Sequence, residues 1–377
     1  MSALNYQDIL DEVVAAVSDF PKPSTLTACA LVSSTWRASA RRFVLQRIKL
    51  SSEARLGELT ELLERDPSAR PFVHTLIFTE APLTSAPWVA KAPRILASKL
   101  PCLRAIHFID LCDVDDAFGR QFVEGLSMFT TVDKLSVIHN IVDTTRIMAM
   151  AAALPNIRHL HLDLMQPLDF GYPIPPKIYS PRLLSLGIEA GRIETFAAAD
   201  ILRWIGTTPS AQSLRSLRLG INFADAEETG RFLVNVGSRL KELELSLEMV
   251  APTALESEVI RSDISLARCT TVQVLTLRHP RGPVCRAVLE LLAEVPSQDI
   301  RELTLGVVSI DDPRLANGVD PPGQLPNFSP LLQRVPHSVQ ELTVLYSGTL
   351  EERAVATRLR HDLSPIAARC KVSVRKV

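Results

Sequence analysis

The hexapeptide Leu214-Arg215-Ser216-Leu217-Arg218-Leu219 reads L-x-x-L-x-L, and variants of it return from near the start of the chain to near its end. Side chains alternate along a strand. Leu217 and Leu219 therefore face one side, with Leu214 turned into the same core, while Ser216 and Arg218 face the other. The segments begin at Leu45, Val73, Leu103, Val132, Ile157, Leu183, Leu214, Leu240, Val272, Ile300 and Val339. They are spaced 25 to 39 residues apart, about 29 on average. One such strand cannot bury its own leucines. Repeated at a regular interval it can, each copy stacking on the next, and the chain is expected to form a solenoid.

An interval of about 29 leaves room for a helix between strands, where one of about 20 does not. The pattern resembles the leucine-rich repeat, whose backbone-bonding Asn would stand at Asn140 and Asn222; other residues fill that position elsewhere, from Ala81 to Ser347. The expected fold class is α/β: a horseshoe solenoid over residues 45–377 of about 11 repeats, with a parallel sheet inside and helices outside. Helices are expected over residues 88–100, 117–129, 144–154, 197–206, 227–238, 255–268, 284–294 and 351–369. Pro101, Pro155, Pro181, Pro296 and Pro336 stand just before strands, where they end a helix without removing a ladder N–H. Residues 311–323 read as an inserted loop, and Lys371 to Val374 as a closing edge strand.

Composition narrows the function classes. The formal charge of −1 makes no general case for nucleic acid or a membrane surface as partner. The longest notable apolar run, Ile147 to Leu154, is too short to span a bilayer. Six cysteines are scattered with no C-x-x-C and no zinc spacing, so reduced thiols in the cytoplasm or nucleus are expected. The first residues carry acids rather than a basic region, so no secretory leader is expected and the Asn327 sequon is read as chance.

Residues 1–44 differ from the rest. Tyr6, Ile9, Leu10, Val13, Val14 and Val17 follow helical spacing, with Asn5 as N-cap. Pro21 and Pro23 interrupt the chain; Leu26, Cys29 and Ala30 suggest a second helix. Ser33 or Ser34 caps a third that carries Trp36, Ala40, Phe43 and Val44. Leu4, the aliphatics Ile9, Leu10, Val13 and Val14, and the ending Leu31-Val32-Ser33-Ser34-Thr35-Trp36-Arg37 resemble the F-box, although Asn5 stands where that pattern has Pro. The resemblance implies that Leu4, Ile9, Leu10, Val13, Leu31, Val32 and Trp36 dock a Skp-type adaptor of a cullin–RING ubiquitin ligase. An F-box followed by leucine-rich repeats resembles the substrate receptors of such ligases. A plain helical cap on the first repeat is the alternative, since solenoid ends need covering; the chain would then be a non-enzymatic interaction scaffold.

No nucleotide-binding, hydrolase-elbow or zinc-protease motif occurs, so no enzyme, cofactor or metal is expected. Asp110, Asp113, Asp115 and Asp116 around Cys112 lack calcium-loop spacing and read as a solvated loop. His159, His161 and His107 could suggest a metal or acid–base cluster, but no third fixed ligand compels one. The informative surface is the third, fifth and seventh positions of the repeats, the expected concave face. It carries Arg47, Lys49, His107, Lys134, His159 and His161 in earlier repeats, and Glu242, Glu244, Glu302 and Glu341, interrupted by Arg218 and Arg278, in later ones. Of these, His107, Lys134, His159, His161, Arg218, Glu242, Glu244, Glu302 and Glu341 are the candidates for binding a target protein, a solvated polar face being the alternative. The acids should share one field and favour a basic segment of it.

Overall fold

The computed structural model describes residues 23–79, 87–110, 119–140, 144–164, 180–190, 198–221, 225–247, 262–278, 291–306, 335–346, 357, 361 and 364–376. The chain divides into two compact units, the boundary falling between Ile157 and Arg158. In the first, β1 (Arg47–Leu50), β2 (Thr75–Thr79), β3 (Ala105–Ile109) and β4 (Lys134–Asn140) pair in chain order, all parallel. In the second, β5 (His159–Leu164), β6 (Ser185–Ala190), β7 (Ser216–Ile221), β8 (Glu242–Leu247), β9 (Val274–Arg278), β10 (Glu302–Gly306), β11 (Glu341–Tyr346) and β12 (Lys371–Lys376) do the same. Each expected segment forms a strand, and β12 runs two residues beyond the expected Val374. Parallel strands in chain order, with helices between them wherever the connections are described, make this a leucine-rich-repeat solenoid.

The register follows the leucines. Leu186, Leu217, Leu243, Leu275, Leu303 and Leu342 stand opposite one another, and all are at most 1% exposed. In the first unit Phe78 and Phe108 occupy the equivalent of Leu219. They stack at 5.2 Å, with Phe122 edge-on to Phe108 at 5.5 Å and Trp88 against Phe78 at 6.0 Å. Such offset and edge-on pairs add to what burial alone contributes.

Where the strands begin, a backbone device repeats. The carbonyl at the second position of one repeat accepts two N–H groups from the next. Arg215 O takes Lys241 N at 2.7 Å and Glu242 N at 3.0 Å; Lys241 O takes Gln273 N and Val274 N; Gln273 O takes Arg301 N and Glu302 N. His74, Arg104, Arg158, Leu184 and Arg301 do likewise. Hydroxyls lace the adjoining turns. Ser210, fully buried, donates to Pro181 O at 2.7 Å and accepts from Leu183 N at 3.0 Å. Thr271 donates to Leu240 O at 2.8 Å and Ser297 to Val272 O at 2.8 Å. Asn140 lies at the end of β4 and its side chain is not described; Asn222 lies outside the described residues.

The helices stack repeat on repeat. Glu53–Arg65, absent from the expected helices, is capped by the Ser52 hydroxyl and buries Leu56, Leu59 and Leu63. Pro87–Leu96, Arg120–Leu126, Thr144–Ala153, Ala198–Thr207 and Ala226–Val236 fall where expected. Residues 255–268 do not form one helix: the described part ends its helical turn at Asp263, and Ile264 and Leu266 continue irregularly into the core. A short helix, Ser210–Ser213, was not expected either. Asp225 Oδ1 accepts Ala199 N at 3.2 Å, so one repeat caps the helix of the repeat before it. At Gly230 a Cβ would lie 1.8 Å from the Asp263 carbonyl, and at Gly125 it would lie 2.9 Å from Pro93 Cβ. Backbones there meet closer than any side chain permits. No helix among the described residues is long and apolar enough to cross a membrane.

Gly230→Ala should destabilise the fold by about 1–3 kcal/mol through overpacking. Gly57, also helical but with nothing within 4 Å of an added Cβ, should gain about 0.5–1 kcal/mol as alanine. Urea midpoints of the two variants should move in opposite directions.

Candidate functional site

Two surfaces carry the expected site residues. The first is the helical pair Pro23–Val32 and Ser34–Gln46. Ser33 separates them and caps the second helix, its hydroxyl accepting Trp36 N at 3.3 Å. That helix runs to Gln46 and passes directly into β1, so the helical segment ends two residues later than expected. Leu31 and Val32 close the first helix in the open, 76% and 67% exposed. Trp36 is half-buried rather than enclosed. Leu4, Ile9, Leu10 and Val13 lie outside the described residues.

The second helix is tied to the first repeat. Arg41 pairs with Asp66, and Arg42 lies over the Phe72 ring at 5.8 Å from its centroid. Asp66 also accepts the Ser68 hydroxyl and backbone N–H, capping the 3-10 turn Pro67–Phe72. The Ser68 hydroxyl first and the Arg41 guanidinium second hold the Asp66 carboxyl below the usual carboxylate range. A lowered folded-state pKa contributes stability at higher pH that is lost as pH falls through it. Asp66→Asn should therefore lower stability near neutral pH and flatten the acid limb of the stability profile. An unchanged acid limb would mean that the contact is immaterial.

The second surface is the outward side of the strands. In the first unit Lys134 is exposed and His107 half-buried. Asp110 and His139 follow β3 and lie near the end of β4 with φ of 57° and 54°, in the left-handed region, with His139 Nδ1 3.6 Å from Asp110 Oδ1. Asp113, Asp115 and Asp116 lie outside the described residues.

In the second unit the charged residues bind one another. Glu189 Oε1 lies 3.8 Å from His161 Nε2 and 3.2 Å from Arg218 Nη2. Glu244 Oε1 lies 3.5 Å from Arg218 Nε and 3.1 Å from Arg278 Nε. Glu189, Arg218, Glu244 and Arg278 thus run across β6 to β9 with signs alternating, and His161 on β5 stands beside Glu189. Glycine makes the room. Gly187 stands between His161 and Arg218 in register, and a Cβ there would lie 2.8 Å from His161 Nδ1. Gly306 opposes Arg278, with no more than 3.2 Å from its missing Cβ to three Arg278 carbons.

The four expected acids therefore do not act alike. Glu244 is taken by two guanidiniums, and Glu341 is paired with Lys371 at 3.1 Å. Glu242 and Glu302 are exposed and carry no ion pair among the described residues, with Val274 between them in register. In the neighbouring row, Thr276, Thr304, Thr343 and Ser373 follow Glu244, and the Thr343 and Ser373 hydroxyls meet at 2.8 Å. His159 is half-buried on β5 beside His161. Among the described residues no group of three His, Cys, Asp or Glu could hold a metal ion. Burial pushes the Cys269 thiol up to about 12, so it is no thiolate nucleophile at neutral pH.

No protein-family model matches the chain, and no curated protein does. Solved structures do. An internalin, inlF, from Listeria monocytogenes aligns over 97% of this chain and 94% of its own, at 13% identity and a TM-score of 0.35. The yeast Rad7 and Elc1 complex aligns over 90% and 88%, at 13% identity and a TM-score of 0.40. The TLR13–ssRNA13 complex aligns over 88% of this chain and 52% of its own, at 13% identity and a TM-score of 0.30.

Glu244→Ala would leave Arg218 and Arg278 facing each other across an empty position. Because the carboxylate is largely shielded, 21% exposed, the loss should be about 1–2 kcal/mol, above the usual worth of a surface pair. Glu242→Ala on the same strand should change stability by less than about 0.5 kcal/mol. Thermal melts of the two variants compare them.

Proposed function

We propose that this chain is the substrate-recognition subunit of a Skp–cullin–F-box ubiquitin ligase. Its N-terminal helices dock a Skp-type adaptor, and its repeats hold a target protein. The observation that carries the reading is the exposed pair Leu31 and Val32, 76% and 67% exposed at the end of a helix. These are the apolar residues that the F-box resemblance assigns to the adaptor. Leaving two large aliphatic side chains in water forgoes about 1.5–3 kcal/mol each, and a partner that covers them recovers it. The chain itself would do no chemistry. Its contribution would be proximity, holding the target where a ubiquitin-charged enzyme can reach it.

The target would lie on the outward face of the strands. Glu242 and Glu302 are the carboxylates there with charge to spare, so a basic segment of the target would meet them. Reversing both to lysine should slow target association, more at low salt than at high.

A second reading has its own support. The Arg41–Asp66 pair, and Arg42 over Phe72, bind the second helix to the first repeat as a plain cap would. Co-purification separates the two. The intact chain, co-expressed with a Skp-type adaptor, should retain it through gel filtration. Leu31→Asp with Val32→Asp should release it by at least tenfold in pull-down yield, with the circular dichroism of the repeats unchanged. A chain that never retains the adaptor is a scaffold whose helices only cap it.

A further inference from the structure

In the second unit, the arginines on the strand face from β7 to β9 and on the two helices beside them are neutralised by neighbours. On the strand face Arg218 and Arg278 hold Glu189 and Glu244. On the helix face Arg203 holds Asp200 and Glu228, and Arg231 holds Glu227 and Glu228. The edge at which the strands begin is different. Arg158 and Arg215 stand there at the second position, immediately before β5 and β7, and Arg182 stands one residue before the first position of the repeat that carries β6. Arg239 and Lys241 follow in the turn before β8, then Arg268 in the turn before β9 and Arg301 immediately before β10. All seven are exposed, none has an ion pair among the described residues, and Asp299 is the one acid among them in the described turns. Arg215 reaches only backbone carbonyls, Leu214 O at 3.0 Å and Gln212 O at 3.4 Å. The same edge of the first unit is mixed, with Gln46, His74, Arg104 and Asp133 at the second position.

This row is not a side effect of folding. The second-position residue serves the fold through its carbonyl, which takes two N–H groups whatever its side chain is. Seven like charges in a line repel one another in the free protein, so their placement has an electrostatic cost that a bound polyanion relieves. Parallel strands lie about 4.8 Å apart, so the row from β5 to β10 spans about 24 Å, the reach of about seven extended residues.

We propose that the leading edge of the second unit is a docking surface for an extended, Asp/Glu-rich polypeptide segment of a partner protein. Six of the seven cations are arginine, whose planar fork meets a carboxylate with two parallel hydrogen bonds. Nucleic acid is the other polyanion. Single strands are held by aromatic side chains on which bases stack, and the described turns of this edge contain no Phe, Tyr or Trp. The surface is distinct from the exposed carboxylates Glu242 and Glu302 and does not depend on adaptor binding. A chain that fails to retain the adaptor leaves it standing.

The test uses the full chain and three labelled probes followed by fluorescence anisotropy: a twelve-residue peptide of alternating Glu and Ser, the same peptide with Lys for Glu, and an oligothymidine with as many charges as the Glu peptide. The Glu peptide should bind with a dissociation constant that weakens steeply with salt, and the Lys peptide should not compete with it. Arg239→Glu, Lys241→Glu and Arg301→Glu together should weaken binding at least tenfold. Gln at the same three positions should weaken it less, which guards against a misfolded reversal variant. Circular dichroism of both should match the parent, since these side chains are exposed. No binding of the Glu peptide, equal binding by the reversal variant, or tighter binding of the oligothymidine would each overturn the proposal.

Discussion

The structure depends on a carbonyl with two donors. At the second position of eight repeats one backbone oxygen receives consecutive N–H groups of the next, Arg215 O from Lys241 and Glu242 being one case. A parallel ladder alone spaces its bonds evenly and tolerates sliding; a forked bond at the start of most strands marks where counting begins. A slip of one residue would turn Leu217 and Leu243 out of the core and Arg218 and Glu244 into it. Hydroxyls of the buried Ser210 and Ser297 and the half-buried Thr271 hold the turns that present these carbonyls, doing the work that an Asn ladder would do in a more regular array.

Once the register is held, the chemistry of the outward face follows from which residues become cross-strand neighbours. Arg218 stands beside Glu244 because both occupy the fifth position, and it reaches Glu189 because Gly187 puts no side chain in the way. The same glycine lets His161 lean toward that carboxylate. A charged face can thus be nearly neutral. The charge that remains available sits at its margins, on Glu242, on Glu302 and along the edge where the strands begin.

The leucine pattern made the strands legible, each in the right register, because period-2 alternation and burial are local facts. The Ser33 cap was legible for the same reason. The helix Glu53–Arg65 was also written in the chain, in Ser52 and the spacing of Leu56, Leu59 and Leu63, although it was not among the expected helices. Apolar spacing alone misled at Ile264 and Leu266, where the chain buries aliphatics without helical turns. The acidic patch read from Glu242, Glu244, Glu302 and Glu341 resolved into two paired and two unpaired carboxylates. That sorting depends on residues 26 to 34 positions apart becoming neighbours and on the absence of a Cβ at Gly187 and Gly306, which no local pattern reveals.

The forked bond has a consequence for how such a chain can change over generations. It is made wholly of main-chain atoms, so the side chain at the second position is released from any duty to the fold. Arginine, leucine, glutamine and lysine all occupy it here without altering the bond. A lineage can rewrite that column one repeat at a time, at almost no risk to folding, and so acquire or discard a line of charge on a scaffold that stays the same. The leucines set what the molecule is; the second position is where it is free to vary.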